Sequence, residues 1–207
     1  MKEETSHNFN LSGDISFGKT HITAMSQYSI IDNQVRSEWL NQDTIQYVNR
    51  GNTKIFSSEI TLTHRFSNSL QAKASYAYVH DSHGKSSTIR PHTATFRLNY
   101  TADFIPKCTP VISFSGKYFS GRDIYGTGDV TDTDNTTGID KTETKEYKIY
   151  YNGYLIWRLT LNAPLLYGFT FNAGVNNLFD YKPEFSSFYS SISSGRTFYI
   201  GLKWKFN

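Results

Sequence analysis

The sequence predicts an all-β fold, an antiparallel up-and-down transmembrane β-barrel of about nine strands. The first observation behind this prediction is the final stretch, Gly195–Phe206, where large apolar residues alternate with small, hydroxylated or charged ones. The second is the composition, because only 38% of the residues are hydrophobic while 16% are aromatic. The third is that short and long connections between the predicted strands alternate strictly. These features are typical of strands that meet lipid on one face and water on the other.

Composition and charge exclude several other classes. No stretch approaches the roughly 20 consecutive apolar residues that a membrane helix needs. A formal net charge of +3 is too small to indicate a nucleic-acid partner. The single cysteine, Cys108, excludes an internal disulfide framework and zinc-finger spacing. The first ten residues lack the apolar core of a signal peptide, so we expect Met1 to be a boundary within a longer protein.

Four strands are predicted in the first part of the chain, because apolar side chains recur there at every second position. Gly18 and Lys19 form a tight turn between the first two. The third strand is long, and we expect a bend at residues 50–52, where Gly and Asn permit a bulge. A short turn at 67–69 leads into the fourth. These strands cover about residues 6–17, 20–31, 44–66 and 70–79.

Five further strands show the same alternation. Between the sixth and the seventh lies Gly121–Glu146, which is rich in Gly, Asp and Thr. Because nothing in this stretch can form a core, we expect it to be irregular, solvated and mobile. Ala163 and Pro164 turn the chain between the seventh strand and the eighth. The five strands cover about residues 92–102, 111–120, 147–161, 167–177 and 195–206.

The connections indicate how the strands are arranged. Those near residues 18, 68, 106 and 164 are short and those near 37, 86, 133 and 186 are long, so all short turns lie at one end of the sheet. Outer-membrane barrels have short periplasmic turns and long extracellular loops, whereas a soluble Greek-key sandwich gives no reason for this asymmetry. With nine strands, the first and the last run in the same direction and cannot close antiparallel. We therefore expect either further strands upstream or one strand miscounted.

Two motifs near the C-terminus carry a resemblance to a known family. The first follows the pattern polar-x-Gly-x-x-aromatic-x-aromatic and consists of Tyr199, Gly201, Trp204 and Phe206. It resembles the C-terminal assembly signal of bacterial outer-membrane barrels, although Tyr occupies the polar position and Asn207 follows the last aromatic residue. The second is the run Asn177, Leu178, Phe179 and Asp180. This run is similar to the Asn-Leu-Phe-Asp run of TonB-dependent receptors, which are 22-stranded outer-membrane transporters with a plug domain.

The resemblance implies a function and a set of partners. Residues 1–207 would be the C-terminal segment of such a barrel in the outer membrane of a Gram-negative bacterium, with the plug domain and the signal peptide outside the chain. The implied activity is TonB-energised uptake of a scarce nutrient, such as siderophore-iron, haem, cobalamin or a glycan, and not an enzymatic reaction. The implied partners are outer-membrane lipid, the barrel assembly machinery through the last strand, TonB through regions outside the chain, and an unidentified small ligand.

Two functional alternatives stay open beside this interpretation. The chain could be a small self-contained barrel that acts as a porin or an adhesin, which requires an even, closed set of strands. It could also be an outer-membrane hydrolase, with Asp81, Ser82 and His83 as a triad. Adjacent residues on an extended chain point in different directions, so a solvated loop is favoured over a triad.

Three further groups of side chains could bind ligands, but each also has a simpler explanation. His80, His83 and His92 could hold a metal or haem, although a solvated loop explains them. Four aspartates with oxygen ligands suited to calcium lie in the long polar stretch, but their spacing does not match an EF-hand. They are Asp129, Asp132, Asp134 and Asp140. Five cations could face the lumen, where they either steer anions or keep the lumen polar. They are Lys73, Arg97, Arg158, Lys203 and Lys205. The sequence assigns no catalytic residue, no metal ligand and no cofactor.

Overall fold

A computed structural model describes residues 1–39, 44–49, 51–82, 89–104, 108–133, 140–183 and 195–206. The described chain is almost entirely β-structure, with one short 3₁₀ turn at Leu166–Gly168. Within the described residues, no helix is long and apolar enough to cross a membrane. The strands are β1 (Thr5–Phe17), β2 (Thr20–Asp32), β3 (Val35–Trp39), β4 (Ile45–Asn49), β5 (Thr53–Arg65), β6 (Leu70–Asp81), β7 (His92–Thr101), β8 (Val111–Phe119), β9 (Arg122–Thr133), β10 (Asp140–Tyr151), β11 (Tyr154–Pro164), β12 (Phe169–Asn176) and β13 (Thr197–Trp204).

Nine of these strands form one antiparallel up-and-down sheet, in the order β1-β2-β5-β6-β7-β8-β11-β12-β13. Each strand pairs with the next one of the sheet along the chain, so the predicted meander of nine strands is confirmed. Among the described residues, neither β1 nor β13 pairs with a second strand, and the sheet does not close on itself. Because the number of strands is odd, the two unpaired edge strands run in the same direction.

The two faces of the sheet differ in chemistry because side chains alternate along each strand. One face, which we call the apolar face, carries large exposed side chains such as Phe9, Leu11, Ile60, Phe198 and Ile200, and these are between 50% and 79% exposed. The opposite face, which we call the polar face, carries mostly Ser, Thr, Asn and charged residues. The apolar face is therefore the lipid-facing side of a barrel wall, and the polar face lines the lumen.

The sheet has almost no core of its own. Only Ala102, Tyr151 and Ala163 are buried hydrophobic residues among those described. The accessible surface is 14943 Å². A compact soluble protein of this mass, 23.7 kDa, would expose only about 9,800 Å². Such a large exposed apolar area contradicts a soluble β-sandwich, whose two sheets would bury their inner faces against each other.

The connections alternate in length, as the sequence predicts. At one end of the sheet lie the shorter connections, residues 18–19, 66–69, 102–110 and 165–168, and Gly18 takes a φ of 57° in the turn between β1 and β2. Glycine adopts this left-handed conformation without a steric penalty. At the other end lie all the long connections, and two of them contain the additional hairpins β3–β4 and β9–β10. In an outer-membrane barrel the first end is periplasmic and the second is extracellular.

Three details of the predicted strands are wrong. The expected long strand at 44–66 is two strands, because the chain leaves one sheet after β4 and enters another at β5. The expected strand at 147–161 is likewise divided at residues 152–153 between β10 and β11. Of the stretch 121–146, expected to be irregular, the described residues 122–133 lie in β9 and 140–146 lie in β10, and these two strands pair from Arg122–Tyr151 to Thr133–Asp140.

Candidate functional site

Four cations meet on the polar face at the centre of the sheet. In the strand register, Lys73 of β6 lies directly opposite Arg97 of β7. Arg97 lies opposite Ser115 of β8, which in turn lies opposite Arg158 of β11. Lys117 is two residues from Ser115 on the same face, so it lies diagonally next to Arg97 and Arg158. We call Lys73, Arg97, Lys117 and Arg158 the cationic cluster.

The cationic cluster lines a depression of about 540 Å³ that extends over five neighbouring strands. Hydroxyl groups of Ser75, Thr95 and Ser115 line it as well, and among the described residues that line it only Glu59 has a carboxylate. The Glu59 carboxylate accepts a hydrogen bond from Thr61 at 3.2 Å. Among the described residues, no ion pair joins any cation of the cluster to a carboxylate. All four cations are exposed, so the depression presents donors and positive charge to the lumen.

The structure brings together three of the five cations that the sequence suggests for the lumen. Lys203 lies on the polar face opposite Thr170, close to the end of the sheet with the short connections and away from the cluster. Lys205 follows the end of β13, and its amide donates to the Gly168 carbonyl at 3.0 Å. The sequence analysis did not include Lys117 among the lumen-facing cations. The alternation of β8 could have indicated it, because Lys117 lies on the same face as Ser113 and Ser115.

An aromatic column lies above the cluster, towards the end of the sheet with the long connections. The rings of Phe119 and Tyr154 are 4.9 Å apart, and the ring of Tyr154 stacks on that of Tyr181 at 5.2 Å. The Arg90 guanidinium lies 5.0 Å from the Tyr154 ring and donates hydrogen bonds to the carbonyls of Ser120 and Asn152. Because Ser120 and Asn152 flank the β9–β10 hairpin, Arg90 fixes the base of this hairpin to the sheet. No pattern in the sequence indicates this role of Arg90.

The motif Asn177–Asp180 forms the stem of the connection between β12 and β13. Asn177 is 4% exposed and has a φ of 51°. Its side chain bonds twice to the backbone of Tyr181: the carboxamide oxygen accepts from the amide and the NH₂ group donates to the carbonyl, both at 2.8 Å. The Leu178 amide donates to the Trp157 carbonyl at 2.8 Å and extends the pairing with β11. Phe179 packs edge-on against the Trp157 ring at 6.5 Å.

Asp180 joins this stem to the start of the last strand. Its carboxylate accepts a hydrogen bond from the Arg196 amide at 2.7 Å and lies 3.4 Å from the Lys182 ammonium. The hydrogen bond from the Arg196 amide, together with the charge of Lys182, holds the pKa of Asp180 below its ordinary value of 3.8. Gly195 sits beside the same carboxylate with a φ of 77°. The described contacts of the motif are thus structural ones, with the backbone of Tyr181, Trp157 and Arg196.

The four residues of the predicted assembly signal lie on or just after β13. Tyr199 covers Gly174 so closely that a Cβ at Gly174 would come within 2.6 Å of its ring. Gly201 lies opposite Asn172 on the polar face. Trp204 stacks on Phe169 at 5.1 Å, and its indole N–H donates to the Tyr167 carbonyl at 3.1 Å. These contacts attach the last strand to β12, while its other edge has no partner among the described residues.

The candidate metal and hydrolase sites are only partly described. His83 and Asp134 lie outside the described residues. His92 is in β7, where its ring nitrogen shares a hydrogen bond of 2.7 Å with the Tyr76 hydroxyl. The Ser82 hydroxyl accepts a hydrogen bond from the Lys54 amide at 2.9 Å. Within the described part of the chain, no three His, Cys, Asp or Glu side chains gather as metal ligands, so these sites stay hypotheses.

The comparisons with known proteins support the fold and the family. A sequence profile described as "TonB dependent receptor-like, beta-barrel" matches residues 1–178. The chain belongs to the TonB-dependent receptor family. No curated protein sequence matches it.

Solved structures of receptors in this family have the same fold as the chain. The copper transporter OprC is 15% identical with a TM-score of 0.73, over 98% of this chain and 31% of OprC. The FrpB iron transporter from Neisseria meningitidis is 17% identical with a TM-score of 0.70, over 99% of this chain and 32% of FrpB. A mutant of the ferric enterobactin receptor PfeA from Pseudomonas aeruginosa is 18% identical with a TM-score of 0.68, over 96% of this chain and 31% of PfeA. The chain thus spans about a third of the length of these transporters.

Proposed function

We propose that this chain is the C-terminal segment of a 22-stranded outer-membrane receptor barrel that takes up a scarce nutrient with energy supplied by TonB. The observation that carries the proposal is the nine-stranded meander with an exposed apolar face and two unpaired edges. Unpaired strand edges in lipid leave backbone N–H and C=O groups unsatisfied at several kcal/mol each, by rough estimate. Further strands of the same barrel would satisfy both edges, and their number must be odd to pair antiparallel at each seam.

The nutrient belongs to one of four candidate classes: siderophore-iron, haem, cobalamin or glycan. The printed names of the neighbouring structures refer to copper, iron and ferric enterobactin. At identities below 20% this likeness concerns the fold. It therefore decides which nutrients are tested first but does not identify the nutrient. Metal-containing nutrients are therefore tested first. The chain is proposed to act as a receptor and not as an enzyme.

The last strand is proposed to guide insertion into the outer membrane. Tyr199, Gly201, Trp204 and Phe206 would be recognised by the barrel assembly machinery, because they form an aromatic-rich strand with one free edge. Outer-membrane lipid would then cover the apolar face. TonB would contact only regions outside this chain.

The size of the native protein tests the proposal first. An antibody raised against residues 121–146 should detect a band several times larger than 23.7 kDa in the outer-membrane fraction. A membrane band at 23.7 kDa would instead indicate a self-contained barrel, such as a porin or an adhesin. Growth on limiting iron, copper or haem, compared with and without a functional TonB, then tests uptake. Growth that is independent of both this protein and TonB on all the candidate nutrients would contradict the function.

A further inference from the structure

We propose that Lys54, His80 and His92 bind the phosphate headgroup of a membrane lipid in the leaflet next to the long connections. We call these three residues the rim site. They lie on the apolar face, at the end of the sheet that is extracellular in outer-membrane barrels. Such a site lies outside the lumen and its ligand is not transported, so it goes beyond the proposed uptake function.

The strand register places the rim site on three neighbouring strands. Lys54 of β5 lies opposite Ile30 of β2, on the apolar face. On β6, Tyr78 lies opposite His92 of β7, and His80 follows two residues later on the same face. His80 is therefore diagonal to both Lys54 and His92, and diagonal neighbours on antiparallel strands are about 7–8 Å apart. A phosphate group presents several oxygen acceptors, so it could bridge neighbouring members of the site.

Lys54 indicates the level of the rim site in the membrane. It is the only lysine or arginine on the apolar face of the nine strands as described. A charged side chain on the lipid face destabilises a barrel at the middle of the bilayer and costs little near its surface. Aromatic residues, which form girdles at that surface, follow Lys54 towards the middle of the sheet. They are Phe56, Tyr28, Tyr78 and Tyr76. Lys54 therefore lies at the level of the lipid headgroups, where its ammonium group can reach a phosphate.

The polar groups of the rim site are available to a ligand. Lys54 and His80 are exposed, and in the described part of the chain Lys54 has no ion pair and the His80 ring has no hydrogen bond. The acidic residue of this face, Asp32 of β2, is diagonal to Lys54 and not opposite it. The Nδ1 atom of His92 shares a hydrogen bond of 2.7 Å with the Tyr76 hydroxyl, and the two rings stack at 6.0 Å. When Tyr76 donates this bond, Nε2 carries the proton of the ring and can donate to a phosphate oxygen.

A lipid headgroup fits the rim site better than a soluble anion does. The site is continuous with the apolar face, so the acyl chains of a bound lipid would contact the large side chains next to it. A soluble anion would gain only the contacts with charged groups, which salt screens at an exposed surface. The described strands β8, β11, β12 and β13 carry no lysine, arginine or histidine on the apolar face. The lipid would therefore be held at one position on the wall and not along its whole width.

The test uses the protein purified from outer membranes in a neutral detergent, with phosphatidic acid as the probe and native mass spectrometry as the measurement. Phosphatidylcholine with the same acyl chains and inorganic phosphate are the comparison probes, and the wild type should bind phosphatidic acid at least tenfold more tightly than either. The double variant K54Q/H80Q should bind phosphatidic acid about tenfold more weakly, with about fivefold of this from the lysine. The matched control K19Q/H64Q removes a lysine and a histidine at the end with the short connections and should change the affinity less than twofold. The conservative variant Lys54→Arg should keep most of the affinity.

Three results would overturn the rim site. Equal binding of phosphatidic acid and phosphatidylcholine by the wild type would show that the acyl chains alone are recognised. Binding of inorganic phosphate as tight as that of phosphatidic acid would indicate a site for a soluble anion. The third result is equal weakening in K54Q/H80Q and K19Q/H64Q.

Unheated gel mobility must show that each variant is a folded barrel. If K54Q/H80Q does not fold, the single variant Lys54→Gln, at an exposed position, replaces it and should lose about fivefold in affinity, and an unchanged affinity would refute the site. Lipid binding is measured without TonB, so loss of TonB-dependent growth with intact lipid binding bears only on the proposed function. Intact growth with no preference for phosphatidic acid refutes only the rim site.

Discussion

Replacement of Asn177 should open the stem of the connection between β12 and β13. The wild-type side chain makes two hydrogen bonds of 2.8 Å to the Tyr181 backbone while it is 4% exposed. Each such bond contributes about 1 kcal/mol net, so Asn177→Gly should destabilise the stem by about 2 kcal/mol. In Asn177→Ala, the φ of 51° adds a steric cost of about 1 kcal/mol for a residue with a Cβ. The expected order of stem stability is therefore wild type, then Gly, then Ala.

Hydrogen exchange of the Leu178 amide measures this stem, because that amide donates to the Trp157 carbonyl at 2.8 Å and not to the replaced side chain. A loss of about 2 kcal/mol should speed its exchange roughly 30-fold in Asn177→Gly, and the Ala variant should exchange about another fivefold faster. Asn177→Asp keeps the acceptor for the Tyr181 amide and should retain most of the protection. Asn172→Ala, on the polar face of β12, serves as the control. Unchanged exchange at Leu178 in the Gly variant would refute the hydrogen-bond argument, and equal exchange in the Gly and Ala variants would refute the backbone argument.

Three further outcomes follow from the described contacts. Gly174→Ala should lower barrel stability by about 1 kcal/mol, because the new Cβ would meet the outer end of the half-exposed Tyr199 ring at 2.6 Å and displace it, and Gly174→Ala should cost less when Tyr199 is already Ala, in urea titrations followed by gel mobility. Because the pKa of Asp180 is lowered on folding, its contact with Arg196 should persist above pH 3.8 and weaken as the pH falls below that value. Hydrogen exchange at Arg196, corrected for its intrinsic pH dependence, should show this loss in the wild type and not in Asp180→Asn. Cys108 lies at the end of the sheet with short turns, so a membrane-impermeant maleimide should label it only after the outer membrane is permeabilised, and labelling of intact cells would reverse the assigned orientation.

Much of the fold could be read from the sequence because a barrel wall depends on local rules. Alternation along each strand fixes which side chains share a face, and a meander needs only that consecutive strands pair. The hairpin β9–β10 was missed for a physical reason. Its outer parts, Thr127–Thr133 and Asp140–Glu146, carry polar residues or glycine at every position except Val130, and backbone pairing joins them. A search for hydrophobic periodicity does not detect strands of this kind.

The candidate site was less accessible to sequence reasoning. Alternation predicts that Lys73, Arg97 and Arg158 lie on one face of the sheet. It does not predict that they lie at the same height along neighbouring strands. Their level depends on the register between strands, which the lengths of the turns at residues 66–69 and 102–110 determine. It also depends on the register between β8 and β11, because the intervening hairpin between these predicted neighbours does not fix that register. The arginine at position 90 was missed because its contacts are with backbone carbonyls from distant parts of the chain.

The two hairpins outside the nine-stranded sheet can accept insertions that the strands of the sheet cannot. In each strand of the nine-stranded sheet, side chains alternate between the polar face and the apolar face with a period of two residues. Insertions of any length in β3–β4 or β9–β10 leave the alternation unchanged in every strand of the nine-stranded sheet. A single inserted residue within β7 would instead turn Arg97 towards lipid and bring an apolar neighbour into the lumen. Such a protein can change what it displays to the outside, by lengthening or replacing its hairpins, without altering the charge pattern along its interior.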